Sequence, residues 1–376
     1  MARGVTRRSL LRGSGLALAS GMLSRKLAAT PLSELSVAPE ETIHLNLNEN
    51  AYGPSSQVHP AIEKELAHVS RYADAKAANA WTEQIAAYER VPPEQVILGE
   101  ILGDLGLYLG SQGGPGGEFI YSTPGYLALI DAASRVGGIG VPVPLNTHYE
   151  NDLTALQAKI NARTRALYLI NPHNPTGTVS DDREFKNFLR ESSQHAPVIV
   201  DEAYLEYTPD FESRSAVSLA REGANVLVFR TFDKIHGLAG LPIGYTLAPR
   251  SLANALHQQG LGDAESLGRL NIAAASAALA DRSHVRQVRD TVSAERAKWH
   301  ALLDELHVRH TDSRANFVFF DTGRPQPQFS DALQKRGVEI GRQFPPYTNW
   351  ARITIGVPAE NQVVQKHVRD LLQAFA

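Results

Sequence analysis

The feature that most constrains the fold is an alternation of short apolar strands with helical stretches over residues 95–229. Strands are expected at 95–98 (QVIL), 118–121 (EFIY), 140–144, 165–170 (RALYLI), 197–200 (PVIV) and 226–229 (VLVF), with helices at 126–136, 152–160 and 182–192. Most of these strands are near-continuous apolar runs, so both of their faces must be covered. Doubly covered strands alternating with helices specify an α/β fold around a mainly parallel sheet. Such sheets bind ligands beyond the carboxyl ends of their strands. Three polar segments fall at those ends: residues 171–177 (NPHNPTG), 201–204 (DEAY) and 231–234 (TFDK).

The flanking chain reads differently. A polar arm at 45–56 (LNLNENAYGPSS) carries turn-forming Asn, Gly and Pro. An amphipathic helix is expected at 59–69, with Ile62, Leu66 and Val69 on its apolar face, and a second helix at 81–88. Beyond about residue 265 the pattern shifts to a long helix at 281–306, a strand at 316–321, a helix at 329–336, a strand at 352–355 and a closing helix at 360–375. This is a smaller α+β domain. The expected organisation is a leader and linker at 1–36, an arm at 37–57, a large domain at 58–265 and a small domain at 266–376.

Lys234 stands out chemically. It follows an apolar strand and precedes a Gly-rich turn, Gly237-Leu238-Ala239-Gly240. Lysine is seldom buried without a partner. A desolvated lysine favours its neutral amine, which attacks an aldehyde to form a Schiff base.

Composition narrows the remaining classes. A net charge of −3 argues against nucleic acid as the partner. The absence of Cys excludes disulfides, thiol nucleophiles and Cys-ligated metal, and no metal site is expected. At the N-terminus, Arg7-Arg8 is followed by an apolar, Gly/Ser-diluted run over residues 13–23, then Ala28 and Ala29 as small residues for cleavage. The run is too short to span a membrane. It reads as a twin-arginine export signal, which places the mature protein in the periplasm without a stable membrane anchor.

NPHNPTG (171–177), VDEAY (200–204), the Lys234 segment TFDKIHGLAGLPIGY (231–245) and RITIG (352–356), in this order and spacing, resemble the fold-type I, class I/II pyridoxal-phosphate aminotransferases, and among them the histidinol-phosphate branch. The resemblance extends from about residue 40 onward, through the arm and SRANFVFF (313–320). It implies that Lys234 holds pyridoxal phosphate as an internal aldimine and then shuttles the substrate's α-proton. It also implies that Asp201 pairs with the pyridine nitrogen, that Asn174 and Tyr204 bond the ring hydroxyl, and that Tyr126 stacks on the ring. Thr231 would contact the phosphate. Tyr72 would reach the phosphate of a neighbouring subunit, which makes the expected assembly a homodimer. Arg352 would bind the substrate α-carboxylate, with Asn50 and Asn316 lining the substrate pocket. The implied reaction moves an amino group between an amino acid or related amine and a 2-oxo acid. Another pyridoxal-phosphate reaction (oxidase, racemase or lyase) and a non-catalytic exported binding protein are the alternatives.

Three positions depart from the family's phosphate-binding pattern. Residues 99–104 (GEILGD) stand where relatives carry a Gly-Ser turn, Asp233 where Ser is common, and Pro242 where an Arg is expected. His236 and Arg230 are the nearby basic residues available to compensate.

Overall fold

A computed structural model describes residues 42–375; the expected leader at 1–36 lies outside them. The strands are β1 (Ile43–Leu45), β2 (Val96–Leu98), β3 (Glu118–Thr123), β4 (Ile139–Pro144), β5 (Thr164–Ile170), β6 (Val198–Asp201), β7 (Val226–Thr231), β8 (Gly244–Leu247), β9 (Phe317–Asp321), β10 (Val338–Ile340) and β11 (Trp350–Thr354). Seven of them form one sheet in the order β2-β8-β7-β6-β5-β3-β4. All neighbours are parallel except those of β8, which runs antiparallel to both β7 and β2. The α/β architecture expected from the alternating pattern is present.

The apolar runs are explained by where their residues go. Side chains alternate across a strand. Val226 and Val228 of β7 therefore join one core with Trp81, Ile85, Phe185 and Leu189, while Leu227 and Phe229 join the other with Leu105, Leu129 and Leu256. Both sets are almost completely buried. A polar residue in the middle of these strands would lose its water without gaining a partner, so polar side chains enter only near the strand ends, where partners are within reach.

A second core lies around helix Arg282–Glu305, strands β9 and β11 and helix Pro358–Phe375, with Val288, Trp299, Phe320 and Val368 at its centre. Strand β1 pairs in parallel with β10, so the N-terminal arm enters this second core through Ile43 and Leu45.

Several expectations are corrected. Helix Arg269–Ala280 falls in the region assigned to the small domain, yet Ile272, Ala275 and Leu279 pack in the core of the large sheet. The core changes between Leu279 and Val285, beyond the expected boundary at 265. The first helix is shorter than expected, Val58–Leu66. Its supposed apolar face is only partly used, because Leu66 and Val69 are exposed while Ile62 packs inward.

Candidate active site

Because β2, β5, β6 and β7 run the same way, their carboxyl ends share one edge of the sheet, and antiparallel β8 begins there. A cavity of about 250 Å3 opens at this edge, between the sheet and residues from the arm and the second core. Its lining brings together Asn174, Asp201, Tyr204, Thr231, Lys234, Tyr126 and Arg352. These seven were expected from segments far apart in sequence, and folding has converged them.

Asp201 ends β6 and is buried. Its carboxyl accepts hydrogen bonds from the Tyr168 hydroxyl (3.0 Å) and the Ala203 amide (3.0 Å). Burial raises its pKa to about 6, against the lowering effect of those two donors and of Lys234. A carboxyl held this way is stabilised in its charged form by an N–H placed opposite it.

The Tyr204 hydroxyl accepts from Asn48 Nδ2 (3.1 Å) and Asn174 Nδ2 (3.5 Å), which leaves its own proton free to donate into the cavity. Its ring is fixed edge-on against Phe317, with centroids 5.2 Å apart. Lys234 is half-buried, and its Nζ lies 3.5 Å from the Leu47 carbonyl. Tyr126 stands at the mouth, 52% exposed.

Arg352 is the most unusual group. It is buried, and its guanidinium donates from Nη1 to Asn174 Oδ1 (2.7 Å) and from Nη2 to the Asn46 carbonyl (2.8 Å). It lies over the rings of Phe344 (4.9 Å) and Phe317 (5.5 Å). Its Nε is buried without a partner, and no carboxylate pairs with it among the described residues. Burial lowers its pKa to about 10, and nearby Arg342 adds to the positive potential. This is a desolvated cation with unused donors, facing a cavity. It is built for an anion.

Three expected site residues lie elsewhere. Asn50 turns its amide to the carbonyls of Ile235 (2.8 Å) and Gly53 (3.3 Å), so it ties the arm to the lysine loop and does not line the cavity. Asn316 spends its amide on the carbonyls of Asn48 (3.0 Å) and Glu49 (3.1 Å) and likewise holds the arm. Both were expected at the substrate pocket. A buried amide is taken by backbone carbonyls when those are the partners within reach. Tyr72 is 81% exposed and does not line the cavity of its own chain.

The two basic residues expected to compensate at the phosphate end also point away. Arg230 alternates with Thr231 on β7, so it faces the opposite side. It sits in a buried cluster with Glu202 (2.9 Å), Glu89 (3.7 Å) and Glu206 (4.0 Å). His236 is 3.4 Å from Glu206 in the same cluster.

Asn48, Leu47, Arg342 and Phe344 line the cavity and were not anticipated. The arm holds asparagines at 46, 48 and 50, and a positive φ of 56° at Asn48 decides which of them turns inward. Two glycines of the motifs explain their own presence. A Cβ on Gly237 would lie 2.5 Å from the Gly53 carbonyl carbon, and one on Gly177 would lie 2.0 Å from Ser313 Oγ. The arm and the SRANFVFF segment are seated directly on these turns.

Comparison with known proteins agrees with this site. The family model described as "Aminotransferase class I and II" matches residues 40–367. The chain is 33% identical to a histidinol-phosphate aminotransferase 2 of Carboxydothermus hydrogenoformans, covering 84% of this chain and 86% of that protein. It is 32% identical to one from Pseudomonas fluorescens, over 96% and 99% of the two chains. The crystal structure of histidinol-phosphate aminotransferase from Sinorhizobium meliloti, in complex with pyridoxal-5'-phosphate, superposes with a TM-score of 0.78 at 26% identity, covering 94% of this chain and all of that one (100%). The chain is a member of the class I and II aminotransferases, a pyridoxal-phosphate-dependent family of transaminases.

Proposed function

We propose that the cavity transfers an amino group between a carboxylate-bearing amino acid, or a related amine, and a 2-oxo acid, with Lys234 as the residue that carries the cofactor and moves the proton. The observation that carries this reading is the shared cavity of Lys234, Asp201 and an Arg352 that has no carboxylate partner.

The residues fit the cofactor's ring. Pyridoxal phosphate has an aldehyde, a ring nitrogen opposite it and a hydroxyl beside it; Lys234, Asp201 and the Tyr204–Asn174 pair supply an amine, a buried carboxyl and a hydroxyl donor for these groups. Bound, this cofactor withdraws electrons from the substrate's α-carbon and stores the amino group between half-reactions. Asp201 keeps a proton on the ring nitrogen, because the charged pair relieves the cost of burying either charge alone. Arg352 takes the substrate carboxylate on its remaining N–H groups, while Asn174 and Asn46 fix the plane of the fork. That fixed carboxylate aims the α-hydrogen toward Lys234 Nζ, which accepts it as general base and returns it as acid.

The same reading extends to assembly and location. Tyr72, Leu66, Val69 and Leu47 are large apolar groups at 52–81% exposure, which supports a homodimer in which Tyr72 serves the partner's site. The Arg7-Arg8 segment supports export by the twin-arginine route and action in the periplasm. Histidinol phosphate has no α-carboxylate, and export would separate this chain from the task of its relatives; Arg352 would bind an anionic group of the substrate, to which we assign the α-carboxylate of an amino acid.

The test is isotopic. Purified protein with a 15N-labelled amino donor and an unlabelled 2-oxo acid should yield a 15N-labelled new amino acid. Release of free 15N-ammonia, or racemised donor with no transfer, would assign a different reaction.

A further inference from the structure

One end of the cavity is acidic where the cofactor is most negative. Across the sheet edge, Glu100 follows β2, Lys234 follows β7, Asp201 ends β6 and Asn174 follows β5. Glu100 and Asn174 therefore lie on opposite sides of the Lys234–Asp201 pair. In pyridoxal phosphate the carbon bearing the aldehyde is flanked by one carbon with the hydroxyl and one with the phosphate arm. With the aldehyde at Lys234, the nitrogen at Asp201 and the hydroxyl at Asn174 and Tyr204, the phosphate falls on the Glu100 side. This inference rests on the cofactor reading above.

On that side the lining offers the Thr231 hydroxyl, the carboxyls of Glu100 and Asp233, and no cation besides Lys234, whose nitrogen belongs to the aldehyde. Arg352 lies on the Asn174 side with Arg342 near it. Pro242 is exposed and outside the lining.

The geometry holds the two carboxyls together. The Thr231 hydroxyl lies near both carboxyls and accepts from the Asp233 amide at 3.0 Å. Asp233 Oδ1 is buried and has no hydrogen-bond partner. Gly244 approaches Glu100 so closely that a Cβ there would lie 2.7 Å from its Oε1. Glu100 is exposed as a residue, yet its carboxyl is crowded by these atoms, and this desolvation raises its pKa to about 8, with Asp233 and Asp201 adding to the rise against Thr231 and Lys234. Burial raises Asp233 as well, and Lys234 and Thr231 oppose it. A phosphate dianion beside two carboxylates is repelled. The same carboxyls carrying protons are O–H donors, and such donors form short, strong bonds to anionic oxygens.

We propose that Glu100 and Asp233 hold the cofactor's phosphate as protonated acids, so that loading takes up protons and weakens as pH rises. They replace fixed positive charge with protons that the solvent can remove.

The other ionisable groups facing these carboxyls are Asp201 on β6, Lys234 after β7 and Tyr126 after β3. All three meet the ring, which both ligands share; Lys234 also acts on the two carboxyls, so the measurements are repeated in Lys234→Ala, where the pH dependence should persist. This fixes the design of the test. Pyridoxine 5'-phosphate and pyridoxine lack the aldehyde and cannot react with Lys234. Their Kd values for the wild-type protein are measured by calorimetry from about pH 7 to 9.5, where the phosphate stays doubly ionised. If binding requires one proton on Glu100, the advantage of the phosphorylated ligand should fall about thirty-fold across this range, and calorimetry in buffers of different ionisation enthalpy should show net proton uptake. Glu100→Gln should flatten most of the dependence, and Asp233→Asn the remainder. An advantage independent of pH, with no proton uptake, would overturn the proposal while leaving the cofactor reading intact. Equal affinity for the two ligands at every pH would also overturn it. Binding of neither ligand at any pH would overturn both.

Discussion

Replacing Arg352 by Lys separates charge from geometry at the substrate end. The guanidinium has five N–H donors; two are taken by Asn174 Oδ1 (2.7 Å) and the Asn46 carbonyl (2.8 Å), and Nε is buried without a partner. The remaining donors can bind a carboxylate through two parallel bonds. A lysine keeps the charge but can replace at most one bond at each of these acceptors. The loss comprises one charge-assisted hydrogen bond, about 1.5–3 kcal/mol, and a freed Asn174 or Asn46 oxygen, about 1 kcal/mol. Together these amount to roughly 2.5–4 kcal/mol, or about 70- to 900-fold in kcat/KM for an amino acid donor. The control is the corresponding amine without its α-carboxylate, for which only the disturbed Asn174 matters and about a fivefold loss is expected. The assay is kcat/KM for both donors in both proteins. Equal losses for the two donors would refute the assignment of Arg352 to the carboxylate.

Three further perturbations test other parts of the account. Asp201→Asn should lower kcat by about two to three orders of magnitude, since a neutral amide cannot hold the ring nitrogen protonated. The same change should stabilise the cofactor-free protein. Asp201 has a folded pKa near 6, above its ordinary value of 3.8, so the folded state keeps its proton to higher pH and wild-type stability falls as pH rises through that window. The variant's advantage in urea unfolding should therefore grow from pH 4 to 6 to about 3 kcal/mol and then stay level. Arg230→Met should cost about 3–5 kcal/mol in urea unfolding, because it strands Glu89, Glu202 and Glu206 in the interior; a loss under about 1 kcal/mol would show that the cluster is not held by its guanidinium. Gly237→Ala should cost about 2 kcal/mol or more, since Gly237 has φ 71° and a Cβ there would strike Gly53. Its arm should become accessible to limited proteolysis near residues 48–53, and unchanged resistance would count against the seating of the arm on this turn.

The part of the fold that sequence made legible is the part governed by local physics. Strands β5, β6 and β7 are apolar on both faces because each face enters a separate core, and the runs could be read directly. Strand β8 was not anticipated: Gly244-Tyr245-Thr246-Leu247 is four residues long and merges into the end of the lysine motif. The β1–β10 pair joins residues almost three hundred positions apart over three residues each, with no local signal at either end. Helix Arg269–Ala280 was assigned to the wrong core because an Ala-rich helix carries no mark of which surface it packs against.

The site divides in the same way. Residues at strand ends, such as Asp201 and Thr231, are placed by the topology of the sheet, and the side-chain period of two sends Arg230 away from the cavity that Thr231 faces. Residues on the arm depend on its tertiary path. Asn48 rather than Asn50 faces the cavity because the arm turns at Asn48 and is seated on Gly237, a contact between segments nearly two hundred residues apart. Arg342 and Phe344 come from a loop whose sequence resembles any exposed loop until it folds over Arg352.

The central claim is that Lys234 is the amine that carries the cofactor. Loading the protein with pyridoxal phosphate, reducing it with borohydride and mapping the digested peptides by mass spectrometry tests it most directly. The account predicts a single reduced adduct on the peptide containing Lys234, absent in Lys234→Ala. An adduct on another lysine, or none in protein that binds pyridoxine 5'-phosphate, would contradict it.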